Sequence, residues 1–146
     1  FTPMRKGIVL LLLIGLSQPS CSQNKPSGEN QPSKTETKMT LVHIDTDAFN
    51  ALYKKADVQL IDVRTPAEYA EGHLRGSLNI DVMNNQFLEK IDDLDPSKPV
   101  YVYCRSGQRS TNAGNQFIDA GFTEVYNLKG GILAWQSEGF PVVDDE

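Results

Sequence analysis

The chain has little cysteine: two in 146 residues, Cys21 and Cys104, and no Cys-x-x-Cys pair. A thiol redox protein normally wants a nearby resolving cysteine, so that class is disfavoured. Histidine is as scarce, and neither His43 nor His73 stands beside Cys104 as an obvious base. Gly7 to Leu16 is continuously apolar but only ten residues long, about half of the ~20 that a spanning helix needs. Basic excess is missing too. From Leu41 to Glu146, nine Lys and Arg stand against seventeen Asp and Glu, a formal charge of −8. That field disfavours nucleic-acid binding.

What is present begins with Met4-Arg5-Lys6, a basic lead into the apolar run. Together they fit the n-region and h-region of a secretory signal. A short buried helix is the competing reading, but its flanks, basic before and Ser, Gln and Pro after, do not suit one. Cys21 closes the segment and resembles the lipidated cysteine of bacterial lipoproteins, although Gln18 stands where that pattern has Leu and Pro19 is unusual. Ordinary cleavage with Cys21 unmodified is the alternative. If Cys21 is acylated, Cys104 is the remaining thiol and no internal disulfide can form. Ser22 to Thr40 is polar, with almost nothing to bury against its ordering entropy. It reads as a flexible tether reaching on the order of 25 Å. The expected organisation is an export segment over 1–21, a linker over 22–40 and one domain over 41–146, periplasmic or in the cell envelope, with a membrane tether through Cys21.

Within the domain, apolar runs alternate with helical spacings. Leu41 to Ile44 reads as a strand, followed by cap candidates Asp45, Thr46 and Asp47 and a helix marked by Phe49, Leu52, Tyr53 and Ala56. Val58 to Val63 is apolar on both faces, as a central parallel strand should be. Thr65-Pro66-Ala67-Glu68 is a capping box with Pro at the first helical position. Leu78 to Ile80 is a short strand, and Phe87, Leu88, Ile91 and Leu94 form the next stripe. Val100 to Tyr103 is a strand. Ala113, Phe117 and Ala120 line a helix that Gly121 ends. Glu124 to Leu128 is the last strand, and Gly130-Gly131 turns into Ile132 to Gln136. The alternation predicts an α/β fold: a mostly parallel sheet with helices on both faces.

One segment carries chemistry: Cys104-Arg105-Ser106-Gly107-Gln108-Arg109-Ser110, at the end of the strand Val100 to Tyr103. A free cysteine there is ordinarily core filler. Core filler, however, gains nothing from a polar loop with two arginines. A thiol at a strand-to-helix turn faces the first N–H groups of the helix, where an anion is favoured. With Arg105 and Arg109 adding positive charge, the thiolate, which is the nucleophile, is stabilised. The C-terminal end of a central strand is also where open α/β sheets place ligands.

These residues resemble the rhodanese family. The resemblance runs through Leu60-Ile61-Asp62-Val63-Arg64, Glu68-Tyr69, Gly72-His73-Leu74 and Gly76-Ser77-Leu78-Asn79-Ile80. It continues in Tyr103 to Ser110, Ala120-Gly121-Phe122, Leu128-Lys129-Gly130-Gly131 and Trp135, covering about Leu41 to Val143 in the family's order. It implies a three-layer sandwich and a sulfurtransferase without metal or other cofactor. Cys104 would attack the outer sulfur of thiosulfate, expel sulfite, and pass its persulfide sulfur to cyanide or a thiol. Arg105 and Arg109 would bind the anion, and Ser106, Gly107 and Gln108 would supply the backbone cradle. Arg64 is expected to pair with Glu68 or Asp62 and brace the loop, and Asp62 to accept N–H bonds near it. Glu68 needs no role beyond its cap. His73 is expected to be structural, His43 to carry no signal, and Trp135 to lie in the core or to wall the pocket mouth. The domain is expected to work as a monomer.

Two alternatives stay open. A tethered sulfur-carrier module serving a protein partner would have the same loop. Cysteine-dependent phosphatases, or arsenate reductases, are disfavoured because they place five residues between Cys and Arg, whereas four separate Cys104 from Arg109. A mercaptopyruvate-specific transferase would usually have Gly after the cysteine.

Overall fold

Val100-Tyr101-Val102-Tyr103 forms the central strand of the domain, and all four residues are buried. Val100 and Val102 enter one apolar cluster, Tyr101 and Tyr103 the other, so period-two alternation feeds two cores. The computed structural model describes residues 39–144. The export segment, Cys21 and the linker up to residue 38 fall outside the described residues.

The elements in chain order are β1 (Val42–Ile44), α1 (Thr46–Tyr53), β2 (Gln59–Asp62), α2 (Pro66–Ala70), β3 (Leu78–Asn79), α3 (Phe87–Ile91), β4 (Val100–Tyr103), α4 (Gln108–Asp119), β5 (Val125–Leu128) and α5 (Gly131–Ser137). The strands form one sheet in the order β1-β5-β4-β2-β3, and every pairing is parallel. Phe49 of α1 and Ile132 and Trp135 of α5 pack with Tyr101 in one cluster. Phe87 and Ile91 of α3 and Ala113 and Phe117 of α4 pack with Val102 in the other. The result is the expected three-layer α/β sandwich. Among the described residues no helix is long and apolar enough to cross a membrane.

Three residues depart from their expected faces. α1 stops at Tyr53, so Ala56 is exposed beyond it, next to Asp57 at a φ of 65°. Leu88 is 56% exposed and Ala120, the C-cap of α4, is also exposed. Leu88 follows Phe87 directly and so turns off the line of the buried pair Phe87/Ile91, whereas Ala120 lies past the last helical residue, Asp119, at the end of α4.

The winding prepares a site. β3 lies beyond β2 on one side and β5 beyond β4 on the other, so the chain moves outward in opposite directions from the central pair. A crevice is left between the C-terminal ends of β2 and β4. Cys104 follows β4 and Arg64 follows β2, and the Arg64 guanidinium lies 5.8 Å from the centre of the Tyr103 ring.

Candidate active site

Cys104 is 1% exposed and is the free cysteine among the described residues. Its Sγ accepts the Gly107 N–H at 3.1 Å and the Ser110 hydroxyl at 3.3 Å. The loop curls over the sulfur because Gly107, the N-cap of α4, has a φ of 101°, a left-handed conformation that glycine adopts without steric cost. Burial pushes the thiol up. The Ser110 hydroxyl and the N–H groups of Ser110, Gly107 and Ser106 outweigh it and leave Cys104 below the ordinary thiol range. Gln108 opens α4 with its side chain exposed.

The loop is held from beneath by α5. Ile132 N–H donates to the Cys104 carbonyl at 2.9 Å and Leu133 N–H to the Arg105 carbonyl at 3.2 Å. Such close approach requires Gly131: at its φ of 61°, a Cβ would lie 2.5 Å from the Cys104 carbonyl oxygen and from the Arg105 carbonyl. The Gly130-Gly131 turn is thus also the seat of the sulfur loop.

The arginines divide into unlike roles. Arg64 is 5% exposed and pairs with Asp62, Nη2 to Oδ2 at 2.7 Å, while the same nitrogen donates to the Gly72 carbonyl at 2.6 Å. Asp62 also accepts the Arg64 N–H at 2.9 Å. Of the two partners considered for Arg64, the structure shows Asp62 and not Glu68. Glu68 is engaged by Arg109 through two bonds of 2.7 Å, so it has a partner beyond its cap. The capping box is complete as well, with Thr65 N–H and hydroxyl on Glu68 Oε2 at 3.1 and 3.0 Å. Arg109 draws the Glu68 carboxyl down to about 2; burial opposes it as the next largest effect, and the Thr65 N–H and hydroxyl add to the lowering. The Arg109 guanidinium therefore faces a carboxylate. Arg105 is exposed and makes no ion pair among the described residues. It lines a cleft of about 170 Å³ with Arg64, Glu68, Glu71, Leu133 and Gln136. Cys104 itself is not among the residues lining this cleft, so the site is located by the hydrogen bonds on its sulfur rather than by a cavity.

The remaining candidates lie apart from the sulfur. Trp135 is buried, its Nε1 donating to the Pro141 carbonyl at 3.0 Å, so it belongs to the core and not to a pocket mouth. His73 is buried and stacks on Tyr69 at 3.7 Å. His43 has a partner, its Nδ1 lying 2.9 Å from Asn127 Nδ2. Sequence reasoning passed over three participants. In the sequence Ser110 stands only at the end of a motif, Glu68 as a cap or a partner of Arg64 but not of Arg109, and Gly131 only in a turn. The Ser110 signal was its place on the first turn of α4, where a side chain reaches back over the loop.

Fold and site together define a class: α/β domains that hold a cysteine sulfur in a loop of backbone donors at the crevice of a parallel sheet. The chain belongs to the rhodanese-like domain family, whose model matches residues 45–138. It is 36% identical over 104 residues to a sulfurtransferase of Allochromatium vinosum, covering 70% of this chain and 95% of that protein. It is 40% identical over 79 residues to the thiosulfate sulfurtransferase GlpE of Pseudomonas paraeruginosa, covering 54% of this chain and 70% of that protein. Among solved structures, a rhodanese-related protein from Thermoplasma volcanium superposes with a TM-score of 0.63 at 31% identity, covering 71% of this chain and 99% of that one.

Proposed function

We propose that the domain is a sulfurtransferase that moves a sulfane sulfur from thiosulfate or a related donor to a thiophilic acceptor. The Cys104 thiolate attacks the outer sulfur of the donor and a new S–S bond forms. The donor S–S bond breaks, its electron pair leaves on sulfite, and a Cys104 persulfide remains. Cyanide or a thiolate then takes the outer sulfur and returns the thiolate, a ping-pong cycle. The observation that carries this reading is the pair of donors on Cys104 Sγ, the Gly107 N–H at 3.1 Å and the Ser110 hydroxyl at 3.3 Å. The same donors suit the persulfide anion, and Arg105 at the rim suits the anionic donor. Export by the N-terminal segment, with Cys21 anchoring the domain to an envelope membrane, is proposed with it.

The test compares the protein with Cys104→Ser after incubation with thiosulfate. A mass gain of about 32 Da on the wild type alone, one sulfur atom, followed by thiocyanate on adding cyanide, is the expected result. A mass gain without turnover would leave the sulfur-carrier module in its place. No mass gain and no thiocyanate would sink the thiosulfate reading.

A further inference from the structure

We propose that Glu68 sets the charge class of the sulfur donor, so that the site takes a monoanionic organic donor, a persulfide or thiosulfonate, in preference to the thiosulfate dianion. This rests on the sulfurtransferase reading above. Two arginines beside a cysteine look like a dianion site when only the sequence is read. The structure removes most of that charge. Arg109 is spanned by both oxygens of Glu68 at 2.7 Å. Glu68 is fixed from its other side by the Thr65 N–H and hydroxyl, so the pair cannot open without disturbing the cap of α2. Asp81 also acts on the Arg109 charge. Arg64 is matched by Asp62 at 2.7 Å. Glu71 shares the cleft with Arg105. Around the loop, three arginines thus stand against Asp62, Glu68, Glu71 and Asp81, and Arg105 alone of the three has no ion pair among the described residues.

A rim without net positive charge favours a donor carrying one negative charge over a donor carrying two. The cleft wall adds an apolar element, because Ile132 and the 43% exposed Leu133 line it beside Arg105. An inorganic dianion has nothing to place against leucine, whereas the substituent of R–S–S⁻ or R–SO₂–S⁻ has. The chemistry balances for either. Cys–S⁻ and R–SO₂–S⁻ give Cys–S–S⁻ and R–SO₂⁻, with one S–S bond formed, one broken, and two negative charges on each side.

Methanethiosulfonate and thiosulfate form a matched pair, the same transferable sulfur with one charge or two. The measurement is kcat/KM for both donors in the wild type, Glu68→Gln and Asp81→Asn, with cyanide as acceptor. The wild type is expected to favour methanethiosulfonate. Glu68→Gln, whose amide can still cap α2, is expected to shift the ratio about tenfold toward thiosulfate, chiefly through KM, as one unit charge at this range would. Asp81→Asn, which leaves the Glu68–Arg109 pair in place, should move the ratio the same way by less, and it carries the test if Glu68→Gln does not fold. A wild type that prefers thiosulfate, or variants that slow both donors equally, would overturn the proposal. Absence of any Cys104 persulfide from either donor, seen by intact mass, would instead overturn the sulfurtransferase reading itself.

Discussion

At Ser110 a hydroxyl with no exposed surface donates to Cys104 Sγ across 3.3 Å. A hydrogen bond to a charged acceptor in such surroundings is worth about 1.5–3 kcal/mol, and here it favours thiolate over thiol. Ser110→Ala is therefore expected to raise the thiol pKa and to slow sulfur uptake near neutral pH about tenfold or more. The sign follows from the reactive form. Uptake falls as pH drops through the thiol pKa, and the wild-type midpoint lies below the ordinary thiol range. The pH dependence of Cys104 alkylation checks this, and a Ser110→Ala midpoint at or below that of the wild type would remove Ser110 from the thiolate's support.

Elements α2, α4 and α5 meet around the loop through a few contacts. α5 makes its contact with backbone, so Gly131→Ala drives a Cβ to 2.5 Å from the Cys104 and Arg105 carbonyl groups at a positive φ. The loop must move. The expected cost is roughly 1–3 kcal/mol of stability together with loss of sulfur uptake, measurable by urea unfolding and by mass. α2 and α4 are joined by Glu68 and Arg109. Because the Glu68 carboxyl is drawn down to about 2 in the folded protein from an ordinary ~4.3, its contribution is complete above the ordinary carboxylate range and fades as pH falls toward 2. Glu68→Gln should cost about 1–2 kcal/mol at pH 7. Unfolding curves of the two proteins should converge as pH falls from 5 toward 2, and a gap that persists at low pH would mean that the ion pair is not its source. None of these contacts is visible in a local window of sequence. The capping box and the alternation of β4 are local patterns and were legible as such. Glu68 and Arg109 stand 41 residues apart, and only the crossing of the crevice brings them together.

For the molecule as a whole, the layered arrangement could be read from alternation alone, since strands apolar on both faces must be covered twice. The depth of each layer could not. Leu88 and Ala120 carry the right chemistry for the core and face solvent, Leu88 because it stands beside the buried line Phe87/Ile91 and Ala120 because it caps the end of α4. Phe117 is the opposite case, fully buried and edge-on to both Phe87 at 5.9 Å and Phe122 at 5.0 Å. Phe117→Ala should cost about 3–5 kcal/mol, a large part of the stability of a domain this size. Denaturant unfolding would show it, and a loss under 1 kcal/mol would mean that the core collapses to fill the space.

The pairing of β1 with β5 joins Val42 to Tyr126 and His43 to Asn127, residues 84 apart in the chain. Contacts of such sequence separation are slow to form, because a long loop must close before the pairing rewards it. A ribosome delivers β4 and its cysteine well before β5 and α5 emerge. Until Gly131, Ile132 and Leu133 arrive, the Cys104 loop lacks its seat. The thiol is thus made well before it is armed, and a chain cut short before α5 carries the cysteine and its donors without the seat that holds the loop in place.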